Sequence, residues 1–197
     1  MTPKAGRPRT FDPDQVLTRA TDLFWRYGYD ATSISALTAS LGITSSSLYA
    51  SFGDKKQLFT AVVERYQKDG QRRFEEAFDN ASSAREGIRA YLEALAEAYT
   101  DPAHPPGCLV TVAAVNCPPS STDVERYLRD LREVSKQALI TRIDEDIEKS
   151  LMPVEPTARQ LGTYFAALIQ GMSTQARDGA TRSELQSIVE IGMRAIS

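Results

Sequence analysis

The sequence predicts an all-α fold of about nine helices, a three-helix N-terminal head followed by a larger helical body. Three observations carry this. No segment alternates apolar and polar residues with the two-residue period of a strand. Successive segments with helical apolar spacing open on a short polar residue, often with Glu or Gln three positions later. Proline-rich breaks close them. The first helix starts at Asp12, an N-cap followed by Pro13 at the first helical position. Its stripe of Val16, Leu17, Ala20, Leu23, Phe24 and Tyr27 ends at Gly28. A fourth helix begins at Asp54, which forms a capping pair with Gln57, and runs toward Phe78 with Leu58, Val62, Tyr66 and Phe74 inward and Gly70 as a point of bending. Further capping pairs are Ser83 with Glu86, Thr122 with Glu125, and Thr181 with Glu184. The later helices are predicted over 84–99, 108–116, 122–149, 157–179 and 182–196, with breaks at 102–107, 118–119 and 153–156.

Residues 32–55 hold two short helices joined by a glycine turn, the outline of a DNA-reading helix-turn-helix. Ile34, Leu37 and Leu41 recur at helical spacing, and Gly42 follows where a left-handed residue is wanted. Thr44 then supplies an N-cap oxygen. Leu48 and Phe52 face inward in the second of the two, leaving Ser45, Ser46, Ser47 and Tyr49 outward. Thr32 and Ser33 cap the first of the two helices and are also placed to bond a phosphate. Thr44, Ser45, Ser46 and Ser47 are the base-reading candidates, with hydroxyls too short for the bidentate bonds that discriminate strongly between bases. Tyr49 and Lys55 are phosphate candidates, the latter beside the free N–H groups that open the fourth helix. Upstream, Lys4, Arg7 and Arg9 are interleaved with Pro3, Gly6 and Pro8. That segment is either a solvated tail or an arm that enters the minor groove.

Gly42-Ile43-Thr44, Leu48-Tyr49-Ala50-Ser51-Phe52 and Asp54-Lys55-Lys56-Gln57-Leu58-Phe59 together resemble the tetracycline-repressor family of bacterial transcription regulators. In that family a Gly-hydrophobic-Ser/Thr turn leads into a short helix ending Leu-Tyr-x-x-Phe, then a polar cap and Lys. The resemblance is close over residues 11–63 and looser beyond. Ala50 and Ser51 stand where the family usually carries a His or Tyr and an aromatic, and Ser45 where Lys is frequent, which removes contacts usual in the family. The resemblance implies a DNA-binding domain over 1–55 and a ligand-binding and dimerisation domain over 56–197. It also implies a palindromic double-stranded operator, a small-molecule effector enclosed in the body, and a homodimer through the last two helices.

Composition agrees with a globular protein of this kind. With 197 residues, 42% hydrophobic and 25% charged, the chain has enough apolar content for a sizeable core, and no apolar run reaches the length of a membrane span. A cytoplasmic location is expected, with no membrane partner. The net charge of −3 is unevenly placed: 8 basic against 6 acidic residues up to Arg65, then 15 against 20. A mildly basic head on an acidic body has the sign expected of a DNA-binding protein.

Within the body, Phe74, Phe78, Tyr91, Leu95, Tyr99, Val112, Asn116, Tyr127, Leu131, Tyr164, Phe165 and Leu168 are candidate pocket residues, each with core packing as the alternative. The final helices carry Leu161, Phe165, Leu168, Ile169 and Met172, then Leu185, Ile188, Val189 and Ile196, among small residues such as Gly162 and Gly171 that allow close helix approach. Cys108 and Cys117, nine positions apart on one predicted helix, would stand about 13 Å apart, beyond disulfide reach. They are core residues or, at Cys108 after Pro105-Pro106-Gly107, a thiol sensor. A regulator controlled by cysteine oxidation or by a protein partner is therefore the alternative to ligand control. No catalytic constellation or metal-ligand spacing is visible and His104 is a lone His, so neither enzyme activity nor a cofactor or metal is expected.

Overall fold

A computed structural model describes residues 12–115 and 117–196. Its order is α1 (Pro13–Ala31), α2 (Ile34–Leu41), α3 (Ser45–Phe52), α4 (Lys55–Asp79), α5 (Ala84–Tyr99), α6 (Leu109–Val112), α7 (Thr122–Glu148), α8 (Ala158–Arg177) and α9 (Arg182–Gly192). Short 3-10 turns precede α7 and follow α9. The described residues are helical or irregular, with no strand.

Most helix starts follow from their caps. Asp12 accepts from the Asp14 N–H, Ser33 from Ala36 and Thr44 from Ser47, each satisfying a donor that the helix itself leaves free. Reciprocal capping boxes form at Asp54 with Gln57 and Thr181 with Glu184, and also at Thr157 with Gln160. Ser83 caps α5, but Glu86 turns back to the Ser82 N–H rather than to Ser83. The expected Thr122–Glu125 box is absent. The 3-10 turn over Pro119–Ser121 runs straight into α7, and Thr122 Oγ1 donates to the Pro119 carbonyl. Gly70 does not break α4, whose 25 residues span about 37 Å and join head to body.

The head packs around Phe24, Leu37, Leu48, Leu58 and Phe59, all essentially inaccessible. Phe24 and Tyr29 each meet the Phe59 ring at 5.0 Å between centroids. Full burial of one such aromatic contributes about 2–3 kcal/mol. This core continues into α6 and the start of α7 through Leu109, Val110, Ala113, Val124 and Leu128. A second core joins α5, the later part of α7, α8 and α9 around Ile88, Leu92, Ile143, Phe165 and Leu185.

Head and body meet at Gly28. Its φ of 80° breaks the helical run inside α1, as the sequence predicts, and a Cβ there would stand 3.1 Å from the Ala113 carbonyl oxygen. The next residue, Tyr29, donates its N–H to that oxygen at 2.8 Å. This explains why α6 is four residues long instead of spanning 108–116. The Ala113 carbonyl, which would continue the helical ladder, is turned to α1, and Val110, Thr111 and Val112 are β-branched residues with little helical preference. Cys108 and Cys117 therefore do not share a helix.

Gly87 of α5 lies against the ring of Phe78, which a Cβ would strike. Intrinsic propensity favours Ala in a helix by about 1 kcal/mol. The ring, however, is held by Phe74 at 4.5 Å and by the Arg142 guanidinium at 5.2 Å. Gly87→Ala is expected to lower stability by about 1–3 kcal/mol through overpacking. Urea denaturation followed by circular dichroism checks this, and a rise in the midpoint would contradict it.

Candidate nucleic-acid interface and body cavity

α3 presents a neutral, hydroxylated face. Ser45 and Ser46 are exposed, and Tyr49 is 47% exposed one turn further on. Thr44 is committed to capping, accepting from the Ser47 N–H at 3.2 Å and lying 3.0 Å from the Ser47 hydroxyl. Leu48, buried, fixes the face by holding the opposite side of α3 in the head core. Gly42, with φ 67° and ψ 28°, makes the turn between α2 and α3 and donates to the Thr38 carbonyl.

The two residues expected to cap α2 have separate tasks. Ser33 caps it and also contacts the Ser35 hydroxyl at 2.8 Å, on the exposed side. Thr32 is 1% exposed, and its hydroxyl donates inward to the carbonyl of Gly28 at 2.7 Å. Its side chain is thus used to close the end of α1, which withdraws it from a phosphate. Lys55 opens α4 with its ammonium 4.3 Å from the centre of the Tyr29 ring and 3.3 Å from the Asp30 carbonyl. Partial burial lowers its pKa, against a smaller opposing pull from Asp30. Its charge is held in place against the end of α1 instead of sweeping through solvent. Lys56 is paired with Asp123 of α7. Lys4, Arg7 and Arg9 lie outside the described residues.

In the body a cavity of about 80 Å³ lies between α4, α5, α6, α7 and α8. Of the candidate pocket residues it brings together Tyr91, Leu95 and Tyr99. Phe78 and Phe165 are core, and Phe74 packs on Phe78 and on Tyr91. Val112, Tyr127 and Leu131 pack against the head-side core. Leu168 meets Gly192 of α9, and Tyr164 is 41% exposed on α8. Asn116 lies outside the described residues. The cavity also takes in Tyr66, Arg73, Cys108, Arg132, Lys136 and Gln170, none of them among the pocket candidates read from the sequence. Arg73 follows Tyr66 by seven positions and so shares its face of α4, a spacing that was available in the sequence. Burial pushes the phenols of Tyr66 and Tyr99 well up and that of Tyr91 to about 12, so all three stay protonated hydrogen-bonding groups at neutral pH.

A wider cleft of about 290 Å³ shares Tyr66, Arg73 and Tyr99 with this cavity and reaches Trp25 of α1. There His104 stacks on Trp25 at 4.6 Å, another join between the body and the head. Both cysteines are free thiols. Cys108 opens α6, its N–H bonded to the Ser173 hydroxyl at 2.8 Å. Burial, followed by the hydrogen bond and charge of Asp30, pushes the Cys117 thiol up to about 11. Among the described residues no helix is long and apolar enough to cross a membrane, and no group of His, Cys, Asp or Glu is arranged to hold a metal ion.

Comparison with known proteins places these features. Residues 16–62 match the family described as "Bacterial regulatory proteins, tetR family". The HTH-type transcriptional repressor ComR of Escherichia coli K12 is 30% identical over 190 residues, covering 96% of this chain and 90% of that protein. The HTH-type transcriptional repressor BdcR of the same organism is 28% identical, covering 97% and 92%. Among solved structures, a cysteine-substituted form of the TetR family transcriptional regulator CifR, complexed with 26-base-pair operator DNA, superposes with a TM-score of 0.93. It is 35% identical, and the match covers 98% of this chain and all of that one. A helix-turn-helix head on a helical body, with relatives that align along nearly the whole length, makes the chain a member of the tetR family of bacterial regulatory proteins.

Proposed function

We propose that this protein is a ligand-responsive transcriptional repressor of the cytoplasm that binds a palindromic operator as a homodimer and is released by a small-molecule effector. The observation that carries the DNA-binding part is the exposed face of α3, with the fixed Lys55 ammonium at the start of α4 beside it. The operator complex of CifR, similar over the full chain, supports the same docking. Residues 1–55 act as the DNA-binding domain and 56–197 as the ligand-binding and dimerisation domain. Ser45, Ser46 and Ser47 meet base edges, Ser33, Tyr49 and Lys55 meet phosphates, and Lys4, Arg7 and Arg9 reach the minor groove.

Effector control is supported by the cavity and by its walls. Val110 of α6 and Thr111 line it, and Ala113, two residues on, holds Tyr29 of the head. Tyr66 of α4 lines it as well, on the helix that leads from the head. A ligand that fits one placement of α6 and α4 better than another shifts the head by that difference in affinity and by no more. Control by oxidation of Cys117 has less support, because its thiol is held protonated and only the thiolate reacts readily.

The dimer reading rests on side chains that the subunit leaves uncovered. Tyr164 of α8 and Ile191 of α9 are 41% and 63% exposed, with Ala167 exposed between them in sequence. Of the small residues, Gly162 allows close approach within the subunit, where it is packed on Ile140 of α7, whereas a Cβ at Gly171 would meet nothing. Leu168 and Ile188 also pack against the subunit's own core.

Two tests follow. Fluorescence anisotropy on an operator selected from a random duplex pool is expected to show that Tyr49→Phe and Lys55→Ala each weaken binding across all sequences. Lys55→Ala is also expected to lower the salt slope by roughly one unit, as loss of one charged phosphate contact requires. An unchanged slope would remove Lys55 from the interface. Ile191→Glu, at an exposed position, is expected to give a folded monomer with operator affinity lowered at least tenfold, measured by light scattering, circular dichroism and anisotropy. A variant that stays dimeric, or a wild-type chain that is monomeric at micromolar concentration, would defeat the dimer reading.

A further inference from the structure

The cavity in the body has an unbalanced charge. Arg73, Arg132 and Lys136 line it, and none of its lining residues is a carboxylate. Lys136 already holds Glu133 at 2.7 Å. Among the described residues Arg73 and Arg132 have no such partner, although several arginines of the same body do, among them Arg72 with Asp69 and Arg89 with Glu190. Arg132 Nη1 donates to the Val110 carbonyl at 2.8 Å, which orients the guanidinium and leaves its other N–H groups for a ligand. Its partial burial disfavours the charged form against a smaller opposing pull from Glu125, yet a guanidinium stays ionised in proteins, so the charge is carried with no carboxylate in ion-pair contact. Arg73 lies near enough to the phenols of Tyr66 and Tyr91 to oppose the effect of burial on both. The rest of the wall is apolar, including Leu95, Leu139 and Ile169. Gly70 leaves open space, since a Cβ there would meet only the Gln67 side chain at 3.8 Å.

We propose that this cavity takes a small organic carboxylate, its charge on Arg73 and Arg132 and a compact apolar body against Leu95, Leu139 and Ile169. The inference rests on the reading that the effector binds here, and it names the effector's chemical class. Paired guanidinium N–H groups match carboxylate oxygens in spacing, and an anion compensates two cations that no carboxylate of the cavity wall pairs with. At about 80 Å³ the space is far below the ~300–1,000 Å³ of pockets for drug-sized molecules, so the ligand has few heavy atoms.

The test uses three probes of nearly equal size and different charge: 3-methylbutanoate, 3-methylbutanamide and 3-methylbutylamine, with inorganic phosphate as a fourth. Each is titrated into the full-length protein by calorimetry, and operator release is read separately by anisotropy. The carboxylate is expected to bind at least tenfold more tightly than the amide and the amine. Arg73→Gln and Arg132→Gln, each checked for folding by circular dichroism, are expected to remove that preference, and Gly70→Leu is expected to abolish binding by filling the cavity. The proposal is overturned if the amide or amine binds as tightly as the carboxylate, if none of the probes binds, or if binding is insensitive to both arginine substitutions. Phosphate binding as tightly as 3-methylbutanoate would overturn the carboxylate assignment. Carboxylate binding that leaves the operator bound sustains the anion site and ends the release reading. Release by the neutral amide, unaffected by the arginine substitutions, does the reverse.

Discussion

The approach of Gly28 to Ala113 is the constraint on which much of the remaining structure depends. A helix that continued through residue 28 would carry the end of α1 past the body, whereas the positive φ turns the chain so that the Tyr29 N–H meets the Ala113 carbonyl at 2.8 Å. Around that bond lie the other joins: Trp25 on His104, Asp30 with the Ser121 hydroxyl at 2.6 Å, and Lys56 with Asp123. Each polar join contributes only about 1 kcal/mol or less in net terms, and the exposed Lys56 pair least of all. Their importance is directional. The burial of Phe24, Phe59, Leu109 and Val124 in one cluster supplies the cohesion, and the hydrogen bonds fix which way the head faces.

That arrangement makes the head part of the body's packing rather than a bead on a linker. The proposed effector mechanism depends on this. A flexible tether would let the head ignore what happens beneath it, whereas a shared core allows only a few packed arrangements. α6 is a short path, because Val110 and Thr111, which line the cavity, and Ala113, which holds α1, lie within three residues of one another. To carry a population from 1:99 to 99:1 a ligand needs about 5.5 kcal/mol of differential affinity. Charge contacts in a partly buried site would contribute to such a difference, since their strength changes steeply when a guanidinium moves between a matched and an unmatched position.

Local chemistry was legible in the sequence, and long-range chemistry was not. Asp12, Ser33, Thr44, Asp54 and Thr181 cap the helices they were expected to cap because the bonds involved span two or three residues. Gly28 and Gly42 were readable as turns for the same reason. The length of α6 was not, since it is decided by a bond between residues 84 positions apart, Tyr29 and Ala113. Thr32 looked like a surface hydroxyl, and only the fold of α1 against it shows that its partner is the Gly28 carbonyl. The cavity was the hardest to read. Most of the aromatic pocket candidates are packing, whereas Arg73, Arg132 and Lys136 carry no apolar spacing that would single them out. Charge on a helix signals exposure only when the surrounding helices leave that side open.

The same reasoning bears on how a reading helix with so little charge can choose a DNA site. Ser45 and Ser46 offer hydroxyls that suit several base edges, and none of the side chains on that face can make a bidentate bond to guanine or adenine. On the proposed docking, discrimination therefore falls on geometry: where α3 can sit would be set by the phosphates that its neighbours accept. Lys55 cannot follow a displaced phosphate, because the Tyr29 ring and the Asp30 carbonyl hold its ammonium. The N–H groups at the starts of α2 and α4 are fixed in the same way by the helices they belong to. A rigid set of phosphate contacts tolerates only duplexes whose groove width and backbone path match it, so under that docking sequence would be read through the cost of deforming DNA. Tyr29 lies at the centre of that rigidity, bonded to Ala113 through its backbone and supporting Lys55 through its ring, so on the proposed mechanism movement of α6 would disturb the phosphate register directly.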